Sequence, residues 1–225
     1  MTSDTAPCAD STGMLNDYPG PHPVQFQGSV WARWVLRCLG WRVHFDGVPT
    51  LQGVAIVYPH TSNWDFVYAM LAKSAIGIPI RFWAKDSLFA MPVFGPWLAS
   101  LGGVAINRRS PVGVVSDTIA RMHQARADGQ LFWLGLAPEG TRSYRPGWRS
   151  GFYHLALGAG VPLAVGTLDY ARREVRVQHF IRLSGDVSAD YERIRAIVGH
   201  AVGFHPHLAS PIQPMPPTEP LQETP

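Results

Sequence analysis

Val54-Ala55-Ile56-Val57-Tyr58-Pro59-His60-Thr61-Ser62-Asn63-Trp64-Asp65 reads as a strand, a tight loop and the start of a helix. The apolar run from Val54 to Val57 predicts a buried strand, and Pro59 ends it. The helix begins near Asn63 to Asp65 and continues through the apolar segment Phe66 to Ala72. On a continuous helix, residues five apart point about 140° away from one another. His60 and Asp65 can therefore meet only if His60 is still in the loop, its ring swung over the first helical turn. A carboxylate is electrostatically at home there, and an imidazole oriented by a carboxylate makes a general base for an alcohol. The structural alternative is that His60 bonds a strand-end carbonyl while Asp65 only caps the helix. A single His/Asp pair leaves both readings open.

Outward from this stretch, strands and helices alternate. Trp41 to Asp46 predicts a strand, as do Pro79 to Ala84 (ending at Lys85), Gly102 to Ile106 and Leu131 to Leu136. Pro162 to Leu168 and Val175 to Leu183 complete the strands, and Val114 to Ala127, Phe152 to Ala159 and Tyr191 to Val198 predict helices. Such alternation predicts an α/β fold in a single domain, with a largely parallel central sheet flanked by helices. Ahead of it, Ser29 to Leu39 predicts an amphipathic helix carrying Trp31 and Trp34 with Arg33 and Arg37. It suits a membrane interface or packing on the domain with its arginines in water. The run Leu88 to Leu101 is broken by Pro92, Gly95 and Pro96. It reads either as a buried irregular segment or as the wall of an acyl-chain slot or a membrane-facing lip. Residues 1–27 are expected to be a flexible arm, 28–200 the folded domain, and 201–225 a disordered Pro-rich tail.

Composition sets limits on these readings. Of 225 residues, 46% are hydrophobic and only 16% charged, enough for a core and for apolar surface of some use. The net charge of +3 is too small to argue for nucleic acid, yet suits anionic small molecules or lipid headgroups. The two cysteines, Cys8 and Cys38, form no disulfide framework or thiolate metal site, so a reducing compartment is expected. Residues 1–17 show no secretory-signal pattern. No apolar stretch reaches the roughly 18 to 20 residues that span a bilayer, so a soluble or peripheral protein is expected. His123, His154 and His179 fall in helix or strand patterns, and His200, His205 and His207 in a Pro-broken stretch. No metal site is expected from them.

In open α/β sheets, ligands gather beyond the carboxyl ends of the strands. Three polar clusters are expected there: His60 with Asp65, Lys85 with Arg108 and Arg109, and Glu139 with Thr141 and Arg142. Arg108 offers a permanent charge and a fork of donors suited to phosphate. The turn Pro138-Glu139-Gly140-Thr141-Arg142 adds amides bared by Gly140, a hydroxyl and another guanidinium, a plausible anion cradle. A base and an anion cradle on one rim suggest an alcohol substrate that carries a phosphate. No Gly-x-Ser-x-Gly nucleophile motif is present, which favours direct attack by that alcohol.

These blocks resemble the four motifs of the glycerolipid acyltransferases, whose best-known members are the 1-acyl-sn-glycerol-3-phosphate acyltransferases. His60 to Asp65 matches their His-x4-Asp motif, Val104 to Arg108 resembles the second and Pro138 to Ser143 matches the third. Val161-Pro162-Leu163-Ala164-Val165 resembles the fourth, and order and spacing fit from about Val54 to Tyr170. Asn107 and Arg149 depart from the pattern, standing where an acidic residue and a lysine are common.

The resemblance implies acyl transfer from a thioester, acyl-coenzyme A or acyl carrier protein, to the hydroxyl of a lysophospholipid. No cofactor is implied beyond that co-substrate. It makes His60 the base and Asp65 its orienting acid. Arg108 would bind the acceptor phosphate, with Glu139, Gly140, Thr141 and Arg142 shaping the acceptor site; Lys85 joins the substrate-binding residues from its place at a strand end. Pro162 would help form a substrate pocket. The expected setting is cytoplasmic, peripheral to the inner face of the cell membrane, with no nucleic-acid partner. Two other readings stand beside it: an acyltransferase or transacylase with another lysolipid or an amino-acid-lipid acceptor, and a non-catalytic lipid-binding module.

Overall fold

The apolar run around Ile56 forms β2 (Gln52–Tyr58), the middle strand of a seven-stranded sheet. The computed structural model describes residues 16–106 and 111–217. The other strands are β1 (Arg42–Phe45), β3 (Arg81–Lys85), β4 (Gly103–Ile106), β5 (Phe132–Leu136), β6 (Leu163–Asp169) and β7 (Glu174–Ile181). They lie in the order β1-β7-β6-β2-β5-β3-β4. From β6 to β4 all neighbours are parallel. The turn β6–β7 makes the antiparallel pair, and β1 runs parallel to β7. Strands buried on both faces read as continuous apolar runs, which is why Val54 to Val57 shows no alternation.

The helices are α1 (Val30–Cys38), α2 (Trp64–Ile76), α3 (Asp86–Phe89), α4 (Phe94–Ser100), α5 (Pro111–Ala127), α6 (Gly151–Ala159) and α7 (Val187–Val198). The two faces of β2 divide the core. Val54, Ile56 and Tyr58 pack with Met122, Phe152, Leu155 and Ile194 from α5, α6 and α7. On the other face, Val57 packs with Ala32 and Leu36 of α1 and Ala72 and Ala75 of α2. The single α/β domain with a largely parallel sheet, expected from the alternation, is the observed fold. The N-terminal helix expected over 29–39 is α1: it packs through Ala32 and Leu36 while Trp31 and Trp34 stand 67% and 60% exposed. The broken run 88–101 yields α3 and α4, with Leu98 buried and Met91, Val93 and Trp97 exposed.

Two expectations about the flanks need correction. Residues 16–27 do not behave as a flexible arm. Asp17 N–H donates to the Phe180 carbonyl at 3.0 Å, and Val24 bridges Val48. Tyr18, Val24 and Phe26 pack on a cluster containing Val48, Trp133 and Phe180. A few well-spaced apolar residues suffice to hold this polar stretch on the sheet.

Residues 201–217 are likewise packed rather than disordered. Tyr170 N–H donates to Val202 O at 2.9 Å, Trp148 N–H to Gln213 O at 2.7 Å, and Met215 N–H to Trp148 O at 2.9 Å. Arg195 Nη2 donates to Ile212 O at 2.7 Å, and Ser210 and Ile212 are buried. The prolines here stay at or near the surface, while Gly203, Ser210 and Ile212 are the residues that bury.

Candidate active site

β2 ends at Tyr58, the Tyr58–Pro59 peptide is cis, and α2 begins at Trp64. The loop between them carries His60 over the first turn of α2. His60 Nδ1 lies 3.2 Å from Asp65 Oδ2. The same oxygen accepts the backbone N–H groups of Thr61 at 2.6 Å and Ser62 at 2.8 Å. The other oxygen, Oδ1, accepts the Tyr170 hydroxyl at 2.8 Å. Asp65 is only 3% exposed. Burial works to raise its pKa, but the hydrogen bonds from His60, Ser62 and Tyr170 outweigh it and leave the carboxyl below its ordinary value. An ionised acid thus faces one ring nitrogen of a half-buried imidazole and leaves the other for a substrate. Of the two readings the sequence leaves open, the loop conformation realises the one in which ring and acid meet.

Glu139 follows β5, the strand beside β2. It is 1% exposed, with Oε2 accepting the His60 backbone N–H at 2.5 Å and Oε1 the Ser210 N–H at 2.9 Å. Burial raises its pKa, and those two amides oppose the rise. Gly140 has φ +65, a backbone conformation that favours glycine; a Cβ there would also meet Arg149 Cδ at 2.7 Å, which that flexible side chain can yield. The Arg142 guanidinium donates to Asn63 Oδ1, tying the turn after β5 to the start of α2.

The sequence profile described as Acyltransferase matches residues 41–165, more than half of the chain, and this stretch carries both His60 and Asp65. The chain belongs to the acyltransferase family. Among solved structures it is similar to the 1-acyl-sn-glycerophosphate acyltransferase PlsC from Thermotoga maritima. That likeness has 17% sequence identity and a TM-score of 0.47, over 74% of this chain and 73% of that one. No curated protein matches the sequence.

Within this acyltransferase, the expected site residues fall into three groups. His60, Asp65, Glu139, Gly140, Thr141 and Arg142 gather at the carboxyl ends of β2 and β5. Glu139 is there in a different role from the one expected. Each of its oxygens accepts a backbone amide and the side chain is buried, so it braces the loop from behind. Thr141 is half-buried, and its hydroxyl accepts Ser143 N–H at 3.3 Å. Lys85 is exposed on the same rim at the end of β3, two strand spacings or about 10 Å from β2.

Pro162 is not brought to the site. Leu163 is in register with Val54, so Pro162 sits level with Gly53 at the amino end of β2. That is roughly 20 Å from His60 at about 3.3 Å per residue. The fourth block packs the sheet, with Pro162 O accepting Val54 N–H at 3.1 Å. Arg108, with Asn107 and Arg109, lies outside the described residues.

Several contributors carry no mark in the sequence. Tyr170 completes the coordination of Asp65. Segment 201–217 supplies Ser210 N–H to Glu139, and His205 N–H to Thr61 Oγ1 at 3.1 Å. The Tyr58 hydroxyl donates to Ser210 O at 3.2 Å, and burial with nearby Glu139 pushes its pKa up to about 12. Among the described residues, no three His, Cys, Asp or Glu side chains are grouped to hold a metal ion.

Proposed function

We propose that this acyltransferase moves a fatty acyl group from an acyl thioester, acyl-coenzyme A or acyl carrier protein, to a lysophospholipid hydroxyl. The acceptor in this reading is 1-acyl-sn-glycerol-3-phosphate and the product phosphatidate. One observation carries it: a loop histidine whose Nδ1 lies 3.2 Å from a buried carboxylate, at the strand ends of the sheet.

With Nδ1–H donating to Asp65, His60 Nε2 takes the proton of the acceptor hydroxyl as its oxygen attacks the thioester carbonyl. Collapse of the tetrahedral adduct breaks the C–S bond, and the departing thiolate recovers a proton from Nε2. A thiolate leaves readily, so the protein has chiefly to supply proximity, a base and electrostatic stabilisation. Arg142, Lys85 and Arg108 are the cations this reading gives to the acceptor phosphate. Phe66 and Trp97, with ring centroids 6.4 Å apart beside the start of α2, are its apolar wall for the acyl chain. Peripheral contact with the inner face of the cell membrane is supported by the exposed Trp31 and Trp34 of α1. Among the described residues, no helix is long and apolar enough to cross a bilayer.

The test is thiol release from acyl-coenzyme A, or from acyl carrier protein, with and without lysophosphatidate. A general base is typically worth about 10²–10⁴-fold, so His60→Ala should fold and show near-background release. Release only with another lysolipid or an amino-acid-lipid acceptor replaces the acceptor. Lipid binding without turnover on a broad acceptor panel makes the protein a binding module.

A further inference from the structure

We propose that Tyr170 is a positioning residue of the acyl-transfer site: its hydroxyl fixes the Asp65 carboxylate in the rotamer that presents Oδ2 to the His60 ring. This rests on the reading of His60 and Asp65 as the base and its orienting acid.

The two oxygens of Asp65 are held from opposite sides. Oδ2 meets Thr61 N–H, Ser62 N–H and His60 Nδ1, all from the loop that it organises. Among the described residues Oδ1 meets only the Tyr170 hydroxyl, at 2.8 Å, from the turn between β6 and β7 that lies 105 residues away in sequence. Asp65 is buried, so no solvent replaces that donor. Without it, one oxygen has no partner and the carboxylate is free to turn about its Cβ–Cγ bond, away from the ring.

Tyr170 is itself well anchored. Its backbone N–H donates to Val202 O at 2.9 Å. Its ring stands edge-on to Trp41 at 5.0 Å, Tyr68 at 5.8 Å and Phe204 at 5.2 Å. Trp41 precedes β1, Tyr68 belongs to α2 and Phe204 to the segment after α7, so three separate parts of the chain aim one hydroxyl. Burial and the facing Asp65 carboxylate raise the Tyr170 pKa far above its ordinary value, so the group is a permanent neutral donor. The titratable groups facing this pair are His60 on the Asp65 side and Tyr68 on the Tyr170 side. Support of this kind, one hydrogen bond removed from the reacting atoms, commonly governs about 10–100-fold in activity where it orients metal ligands. The same geometry applies to an orienting acid.

The experiment compares Tyr170→Phe with Tyr68→Phe, which removes a neighbouring hydroxyl that Asp65 does not use. Steady-state acyl transfer is followed across pH. Separately, the Asp65 carboxyl is titrated by carbon NMR in protein without substrate. For Tyr170→Phe we expect kcat to fall about 10–100-fold with KM for the acyl donor unchanged. The Asp65 titration should move to higher pH, and acid-side loss of activity should begin at higher pH with it. Tyr68→Phe keeps the ring that packs on Tyr170 and should leave the Asp65 titration in place. An unchanged Asp65 titration in Tyr170→Phe overturns the proposal, as does an unchanged kcat in a wild-type enzyme that transfers acyl groups. The NMR arm needs no turnover, so it decides the role of Tyr170 even if the proposed substrates prove wrong.

Discussion

Glu139 grips the backbone of His60 rather than its ring: the His60 N–H donates to Glu139 Oε2 at 2.5 Å. Oε1 takes Ser210 N–H, so Glu139 needs two accepting oxygens. A glutamine offers one oxygen and an NH2, which sets a donor against a donor at one of the two amides. A buried N–H left without its acceptor costs about 1–3 kcal/mol. Glu139→Gln should therefore lower stability by about that amount near pH 5 and reduce acyl transfer at least about 10-fold by loosening the loop. The sign of the pH effect follows from the raised pKa. Between the ordinary 4.5 and the folded value, the native state binds more protons, so wild-type stability falls as pH rises. That slope should be missing from the glutamine variant in denaturant titrations at successive pH values.

Asp65 has the opposite sign. Its folded pKa lies below the ordinary 3.8, so its contribution is complete above that value and fades as pH falls through the folded one. Thermal unfolding of Asp65→Asn should lie below wild type by a constant interval from neutral pH down to about 5, then converge with it in more acidic buffer. A gap that stays constant down to pH 2 would remove the charge of Asp65 from the explanation.

Gly203 lies against the His60 loop so closely that a Cβ there would meet Thr61 Oγ1 at 2.8 Å and Pro59 Cβ at 3.3 Å. Gly203→Ala should push this segment off the loop, weakening the His205 to Thr61 bond. We expect a loss of about 1–3 kcal/mol, the usual range for overpacking, and a fall in kcat larger than the change in KM. Wild-type kinetics in that variant would show that the segment does not steady the loop.

Trp31 and Trp34 project from α1 on the side away from Ala32 and Leu36, flanked by exposed Arg33 and Arg37. Replacing both tryptophans by alanine should abolish flotation with vesicles containing anionic lipid. The unfolding temperature should stay within a few degrees, since neither ring is in the core. Unaltered flotation would move the membrane contact elsewhere.

The sheet and the meeting of His60 with Asp65 were legible because both rest on local pattern. A buried parallel strand is an apolar run, and a loop-to-helix junction fixes a five-residue offset. The third block was legible as to place but not role. Glu139 looks like a substrate ligand in a glycine turn, and only burial shows that its oxygens face amides. Pro162 was misplaced because motif adjacency says nothing about which end of a strand a residue occupies; the register of Val54 with Leu163 does. The flanks misled for a different reason. Residues 201–217 have the composition of a loose tail, yet Ile212 and Ser210 are buried, held by contacts with residues tens of positions away. Tyr170 escaped notice because its link to Asp65 spans 105 residues and obeys no spacing rule.

The bond from Ser210 to Glu139, 71 positions upstream, sets an order of events during translation. At synthesis rates of about 5–20 residues per second, several seconds separate emergence of the glutamate from that of its second partner. In that interval a nascent chain can assemble every strand of the sheet and still hold an unfinished His60 loop. The site around His60 is therefore completed only after the architecture that carries it.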